Sequence, residues 1–295
     1  MDPVPKTILA ATDFSETADK AARFARDLGR RFDAHIRMLH VVVILDDAHL
    51  EDEHRRHLDE LMETTDETRR TVMENDAEAR TGVDISSHLV RGIAPGETIV
   101  ESATNLGCDL IVMGTHGRRG LSHLLLGSVA ERVVRTSTVP VLTVRSDATI
   151  NPDGVRRILV PHDFSEASAT AIRFAVAWAR VLDAEITLLH VVEPVVYPEF
   201  YSVDVLPDDL MGRLTTRSEE ALQKAAAELA ESVPTRTAVA VGRAAETITA
   251  FGDPDDFDLV VMATRGLSGL EHVLLGSVAE SVLRRCRVPM LTIPG

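Results

Sequence analysis

With 295 residues, 45% apolar and 26% charged, the chain is long enough for about two domains, each with its own buried core. A formal charge of -15 and a sequence pI near 5.2, with no basic patch, disfavour nucleic acid as a partner, because a phosphodiester backbone would be repelled. No apolar run approaches the roughly 20 residues of a membrane span and no basic-then-apolar leader opens the chain, so the expectation is a cytoplasmic protein without a membrane partner.

Taken in chain order, strands are predicted at "KTILAAT" (6–12), "HIRMLHVVV" (35–43), "DISSHLV" (84–90), "DLIVMG" (109–114) and "VPVLTV" (139–144), all short runs of apolar and β-branched residues. Helices are expected in the gaps. The first starts after Ser15, a good N-cap, and repeats Ala18, Ala22, Phe24, Ala25 and Leu28 at helical spacing. The second, from about Leu50 to Arg80, is strongly acidic. Within it His54 and His57 stand three apart among carboxylates, a spacing that suits a metal, but a solvated helix face is the plainer reading and no protein metal site is expected. Cys108 and Cys286 belong to no CxxC pair and read as small core residues.

The pattern is then written again. "ILAATDFSETADKAARFARDLGRRFDAHIRMLHVV" aligns with "ILVPHDFSEASATAIRFAVAWARVLDAEITLLHVV", so that Asp13 falls on Asp163 and His40 on His190. One deletion later, Gly127 falls on Gly276 and Pro140 on Pro289. The turn-rich "RSDATINPDGVRR" marks the junction, which predicts domains at 1–149 and 150–295. Strands alternating with helices make each half an α/β domain: a five-stranded parallel sheet with helices on both faces and a ligand edge beyond the carboxyl ends of the strands.

At that edge lies "MGTHGRRGLSHLLLGSVAER", residues 113 to 132. Gly114 ends a buried strand and "SVAERVV" starts a helix, so the glycine-bearing loop leads into unpaired N–H groups and the positive end of a helix dipole, which together make a phosphate cradle. Arg118 and Arg119 lie in the loop, either lending charge to a phosphate chain or merely solvated. "SVAE" reads as a capping box, with the Ser128 oxygen accepting and Glu131 reaching back, and Ser277 to Glu280 repeats it. The serine proton would remain free for a phosphate oxygen.

On these residues the chain resembles a tandem universal stress protein. Glycine, two residues, glycine, nine residues, glycine and serine is the family's nucleotide motif, present as Gly114, Gly117, Gly127 and Ser128, with "TDFSE", "LIVMGTHG" and "VPVLTV" around it, and the likeness covers nearly all of both halves. It implies flavodoxin-like domains (Rossmann-like, adenine nucleotide alpha hydrolase-like) that bind ATP, with any Mg2+ held mainly by the phosphates. By position, Thr12, Asp13 and Val41 would face adenine and ribose, while Met113, Gly114, Gly117, Arg118, Gly127, Ser128 and Val129 would line the ribose-phosphate path. An ionised Asp13 is a poor neighbour for phosphate and a good acceptor for ribose hydroxyls; its plainer role is to cap the turn before the first helix. The corresponding residues of the second half are His162, Asp163, Val191, Ala263, Gly266, Gly276, Ser277 and Val278. Ala263 departs from the pattern, since the family motif has glycine there and an added methyl would either block close approach or penalise a positive φ.

Other nucleotide signatures are missing: no GxxxxGK[ST], no GxGxxG after the first strand, and no GxSxG elbow. His40 and His190 read as packed, hydrogen-bonded residues near the adenine rim. "EPVVYPEFYSVDVLP" holds Tyr197, Phe200 and Tyr201 and reads either as a lid or partner patch or as packing over its own helix. No catalytic base can be assigned, so the expected function is an ATP-binding stress-response or signalling module whose essential event is binding. A slow ATPase or phosphotransferase, and a structural protein with a vestigial second pocket, are the alternatives. The resemblance also implies that the halves pair through "VPVLTV" and "VPMLTI", giving one chain the plan of a dimer, with further homodimerisation and an unidentified protein partner left open.

Overall fold

A computed structural model of the chain describes residues 2–43, 82–115, 126–194, 210–266 and 275–295. It divides into two units, Met1–Ser146 and Asp147–Gly295.

In the first unit the strands are β1 (Thr7–Ala11), β2 (His35–Val43), β3 (Ile85–Gly92), β4 (Leu110–Gly114) and β5 (Val141–Val144). They lie in the order β3-β2-β1-β4-β5, every pair parallel. The order reverses between β1 and β4, and in open α/β sheets the crevice beyond the carboxyl ends at such a reversal is where ligands bind. Three helices are described: α1 (Glu16–Phe32), α2 (Pro95–Asn105) and α3 (Ser128–Thr136). The predicted acidic helix near 50–80, with His54 and His57, lies outside the described residues.

Helix α1 forms for the reasons its sequence states. Ser15 caps it, its side chain accepting from the Ala18 N–H at 3.2 Å, and Glu16 and Asp19 face the positive end of the dipole. Ala18, Ala22, Phe24, Ala25 and Leu28 are all buried, and the small residues let the helix sit close to the sheet. Asp33 turns the chain left-handed at φ 53° and returns its N–H to the Gly29 carbonyl before β2 begins.

The second unit repeats the plan with β6 (Arg157–Pro161), β7 (Glu185–Val192), β8 (Thr235–Val241), β9 (Leu259–Ala263) and β10 (Met290–Ile293), in the order β8-β7-β6-β9-β10, again parallel. Its helices are α4 (Glu166–Leu182), α5 (Leu210–Ala230), α6 (Ala244–Phe251) and α7 (Ser277–Arg285). Among the described residues these five strands with helices between them follow the predicted alternation. The central strands are almost wholly buried, from Ile8 and Leu9 in β1 to Leu259, Val260 and Val261 in β9.

A carboxylate fastens the amino edge of each sheet. Asp109 accepts from the Lys6 and Thr7 N–H groups at 2.9 and 3.0 Å. Its counterpart Asp258 accepts from the Arg156 and Arg157 N–H groups, the Asn151 amide and the Arg157 guanidinium. Burial would push the Asp258 carboxyl up, but these donors outweigh it and hold the group below its ordinary range. Cys108 and Cys286 are both buried and neither is in a disulfide, as their surroundings in the sequence imply, and burial pushes the Cys108 thiol up to about 11.

Among the described residues no helix is long and apolar enough to cross a membrane.

Candidate functional site

Thr12 and Asp13 follow β1 directly, at the switch point. The Thr12 N–H donates to the Leu39 carbonyl of β2 at 2.8 Å, and the buried His40 ring donates from Nδ1 to the Thr12 carbonyl at 2.7 Å. A carbonyl can only accept, so Nδ1 carries the proton. His190 makes the same bond to the His162 carbonyl at 2.8 Å. Both histidines therefore clamp the carboxyl end of the first strand of their unit.

The turn that follows is strained in both copies. Phe14 and Phe164 adopt φ of 62° and 64°, unusual for bulky side chains. In the first copy the Phe14 N–H donates to Thr12 Oγ1 and the Ser15 N–H to Asp13 Oδ1, while the Phe14 ring leans on His40 at 4.7 Å between centroids. Asp13 thus does make the predicted turn bond, with one oxygen. In the second copy Asp163 Oδ1 accepts from both the N–H and the hydroxyl of Ser165, and Phe164 lies between His162 and His190, 4.9 and 4.6 Å away. His162 is buried, and its Nδ1 is 2.8 Å from the Ser168 hydroxyl. Burial lowers its pKa; Asp163 opposes that shift and His190 adds to it.

Across the switch, Met113 and Gly114 end β4 in register with Thr143 and Val144 of β5, and Val41 lies near the end of β2. The loop then leaves the described residues, taking Gly117, Arg118 and Arg119 with it. It returns at Gly127, whose N–H donates to the Thr115 carbonyl at 2.8 Å. Gly276 closes onto the Thr264 carbonyl in the same way at 2.7 Å. These bonds tie the two ends of each loop together under the start of a helix.

That helix start corrects the sequence reading. The N-cap is Gly127, extended at φ -62° and ψ 139°, and Ser128 is already helical; Gly276 and Ser277 repeat the arrangement. Neither serine caps, and no side-chain cap bond exists at either helix. With glycine rather than serine at the N-cap, the capping box is absent. The first backbone bond of α3 runs from the Glu131 N–H to the Gly127 carbonyl. The N–H groups of Ser128, Val129 and Ala130 consequently donate to nothing among the described residues, and Ser128 is exposed. They are the amide groups that the start of any α-helix leaves without an intrahelical acceptor.

The glycines also serve other purposes than the sequence suggests. Gly114 does not have a positive φ; a Cβ there would meet Thr17 Cγ2 at 2.9 Å and the backbone of Thr17 and Ala18 at 3.2 and 3.3 Å. It is glycine so that the first turn of α1 can lie on β4. In the second unit Ala263 takes this place, 6% exposed and also without a positive φ, and Thr17 is matched by Ala167. The γ-methyl that would collide with the Ala263 side chain is thus missing. Gly266 is the close approach: a Cβ there would lie 2.6 Å from Asp163 Oδ2, so the loop backbone and the carboxylate share one corner of the crevice. Val191 is the penultimate residue of β7, and Val278 follows Ser277 at the helix start.

Two tandem flavodoxin-like α/β domains, each with a glycine-flanked helix start at the switch point of a parallel sheet, define the class of this molecule. The universal stress protein family model matches residues 5–145 and again 154–294. Universal stress protein MJ0531 of Methanocaldococcus jannaschii is 37% identical over 141 residues, 48% of this chain and 82% of that protein. Universal stress protein Rv2005c of Mycobacterium tuberculosis is 31% identical over 215 residues, 71% of this chain and 68% of its own length. The crystal structure of a universal stress protein from Archaeoglobus fulgidus superposes with a TM-score of 0.70 at 24% identity, covering 98% of both chains, and shows the fold alone. The chain belongs to the universal stress protein family.

Proposed function

We propose that each half binds an adenine nucleotide, ATP in the first place, and that binding rather than turnover is the output, as in a stress-response or signalling module. The observation that carries this reading is the row of unused amide groups at Ser128, Val129 and Ala130, held at the switch point by the Gly127–Thr115 bond. In a protein of charge -15, a local array of oriented amides is the available means of holding phosphate. Thr12, Asp13 and Val41 serve base and ribose; Met113, Gly114, Gly117, Arg118, Gly127, Ser128 and Val129 serve the ribose-phosphate path, with Mg2+ carried by the phosphates. The second half uses His162, Asp163, Val191, Ala263, Gly266, Gly276, Ser277 and Val278, and the Ala263–Ala167 exchange supports a crevice of the same kind there.

The test is mass spectrometry of ligand released from freshly purified protein, beside calorimetry with ATP, ADP and AMP. An adenine nucleotide in the release and saturable heat are expected, and Gly127→Val should abolish retention by the first half. Phosphate release over hours should not exceed the buffer control. No heat with any of the three nucleotides would overturn the reading.

A further inference from the structure

One group of polar side chains lies at the amino end of β2 and β3, the outer strands of the first unit. A Cβ on Gly29 of α1 would meet Ile36 Cδ1 at 2.9 Å, so Ile36 faces α1 and its neighbours His35 and Arg37 point to the opposite face of the sheet. Arg37 is in register with Ser86 and Leu39 with His88, which puts Ser86 and His88 of β3 on that same face. Asp84 immediately precedes β3.

These side chains form one hydrogen-bonded row. Asp84 Oδ2 is 2.8 Å from His35 Nδ1, His35 Nε2 is 2.9 Å from Ser86 Oγ, and Ser86 Oγ is 3.1 Å from His88 Nε2. A carboxylate only accepts, so in a neutral His35 ring the proton sits on Nδ1 and Nε2 keeps its lone pair. The Ser86 hydroxyl therefore donates to His35, and its contact with His88 requires the proton of that ring to be on Nε2. Burial, then Arg37, then His35 hold the His88 imidazole below its ordinary range, which keeps this ring neutral at pH 7. With its proton given to one imidazole and one lone pair taken by the other, the Ser86 oxygen has a second lone pair left, and the residue is only half-buried. Hydroxyl, base and orienting carboxylate thus touch in the order that activates a nucleophile. The second unit does without this row. Its corresponding residues are Glu185, Pro234, Arg236 and Ala238, and a plain ion pair of 3.1 Å between Arg236 and Glu185 spans the two strands. Joining the strands at this place does not call for a serine between two histidines.

We propose that Ser86 is an acyl-acceptor site for small activated esters, with His35 as its general base and Asp84 as the positioning residue of His35. Ser86 Oγ attacks the carbonyl carbon as its proton passes to His35 Nε2. The bond from that carbon to the leaving oxygen breaks, its electron pair going to the oxygen, and the acyl group remains on Ser86 as an ester. The imidazolium then gives up its proton to the departing oxygen or to water.

The test incubates the full chain with p-nitrophenyl acetate at pH 7.5, stops the reaction in acid at early times and locates the acetyl group by peptide mass spectrometry. Acetylation of Ser86 should run about a hundredfold or more faster than that of any other serine, and His35→Gln should remove that advantage. Asp84→Asn should slow it about tenfold or more, with Asp84→Glu restoring part of the rate, in chains whose circular dichroism is unchanged. The Asp84 side chain is 85% exposed, so this pair of variants decides the matter if His35→Gln does not fold. Acetylation of Ser86 no faster than that of the other serines would overturn the proposal, as would an unchanged rate at Ser86 in folded His35→Gln or in Asp84→Asn.

Discussion

Gly114 and Ala263 occupy one position of the repeat, and the difference between them is answered on the neighbouring helix, where Thr17 becomes Ala167. The pair predicts a coupled result. Gly114→Ala should destabilise the first unit by about 1–3 kcal/mol through overpacking against Thr17, and adding Thr17→Ala should recover most of it, a non-additivity that denaturant titration would detect. His162 offers a second residue-level test. Burial lowers its pKa from 6.5, so the unfolded chain binds more protons than the folded one as the pH falls below that value. The stability of the second unit should be complete at pH 7.5 and fall through the folded pKa on acidification; His162→Gln should remove that slope. At this scale the sequence was only partly legible. The spacing of Gly114, Gly117, Gly127 and Ser128 marked the loop, but glycine for a ligand and glycine for a helix look alike until Thr17 is seen beside it. The "SVAE" box misled for a related reason: Gly127 can cap as well as Ser128 can, and the choice depends on backbone angles.

At the level of elements, the alternation of strand and helix was readable throughout the described residues because buried parallel strands are continuous apolar runs and α1 repeats its small residues at helical spacing. The strained turn after β1 was not. "DFSE" stands in both copies, yet nothing in four letters states that Phe14 and Phe164 take positive φ, held by bonds to Thr12, Asp13 and Asp163. The carboxylate latch was equally silent, since Asp109 and Asp258 look like ordinary turn residues ahead of a strand. Its removal is predictable. Asp258→Ala strips four donors of their acceptor and should cost the second unit about 3 kcal/mol in urea or thermal unfolding. Because the folded carboxyl titrates below 3.8, the stabilisation is present above that pH and lost as the pH falls through the folded value; the variant should lack this acid-dependent loss.

For the whole molecule, the repeat was legible because 150 residues separate Asp13 from Asp163 and His40 from His190 with no gap between them. Each unit has its own five strands and its own buried cysteine, Cys108 in the first and Cys286 in the second. With the Cys108 thiol pushed up to about 11, and Cys286 Sγ 3.6 Å from the Gly252 carbonyl, neither should react with iodoacetamide at pH 8 until its unit opens. Nucleotide at a hundred times its dissociation constant should slow alkylation in an occupied unit about a hundredfold, read from the two cysteine peptides by mass spectrometry.

One sealed sulfur per repeat therefore turns the chain into its own pair of stopwatches. A single labelling time course, run with and without a nucleotide, times the two repeats in the same tube and under the same solvent. If one clock slows and the other keeps pace, gene duplication has left two copies of one architecture with separate duties; if both slow together, the duties are shared.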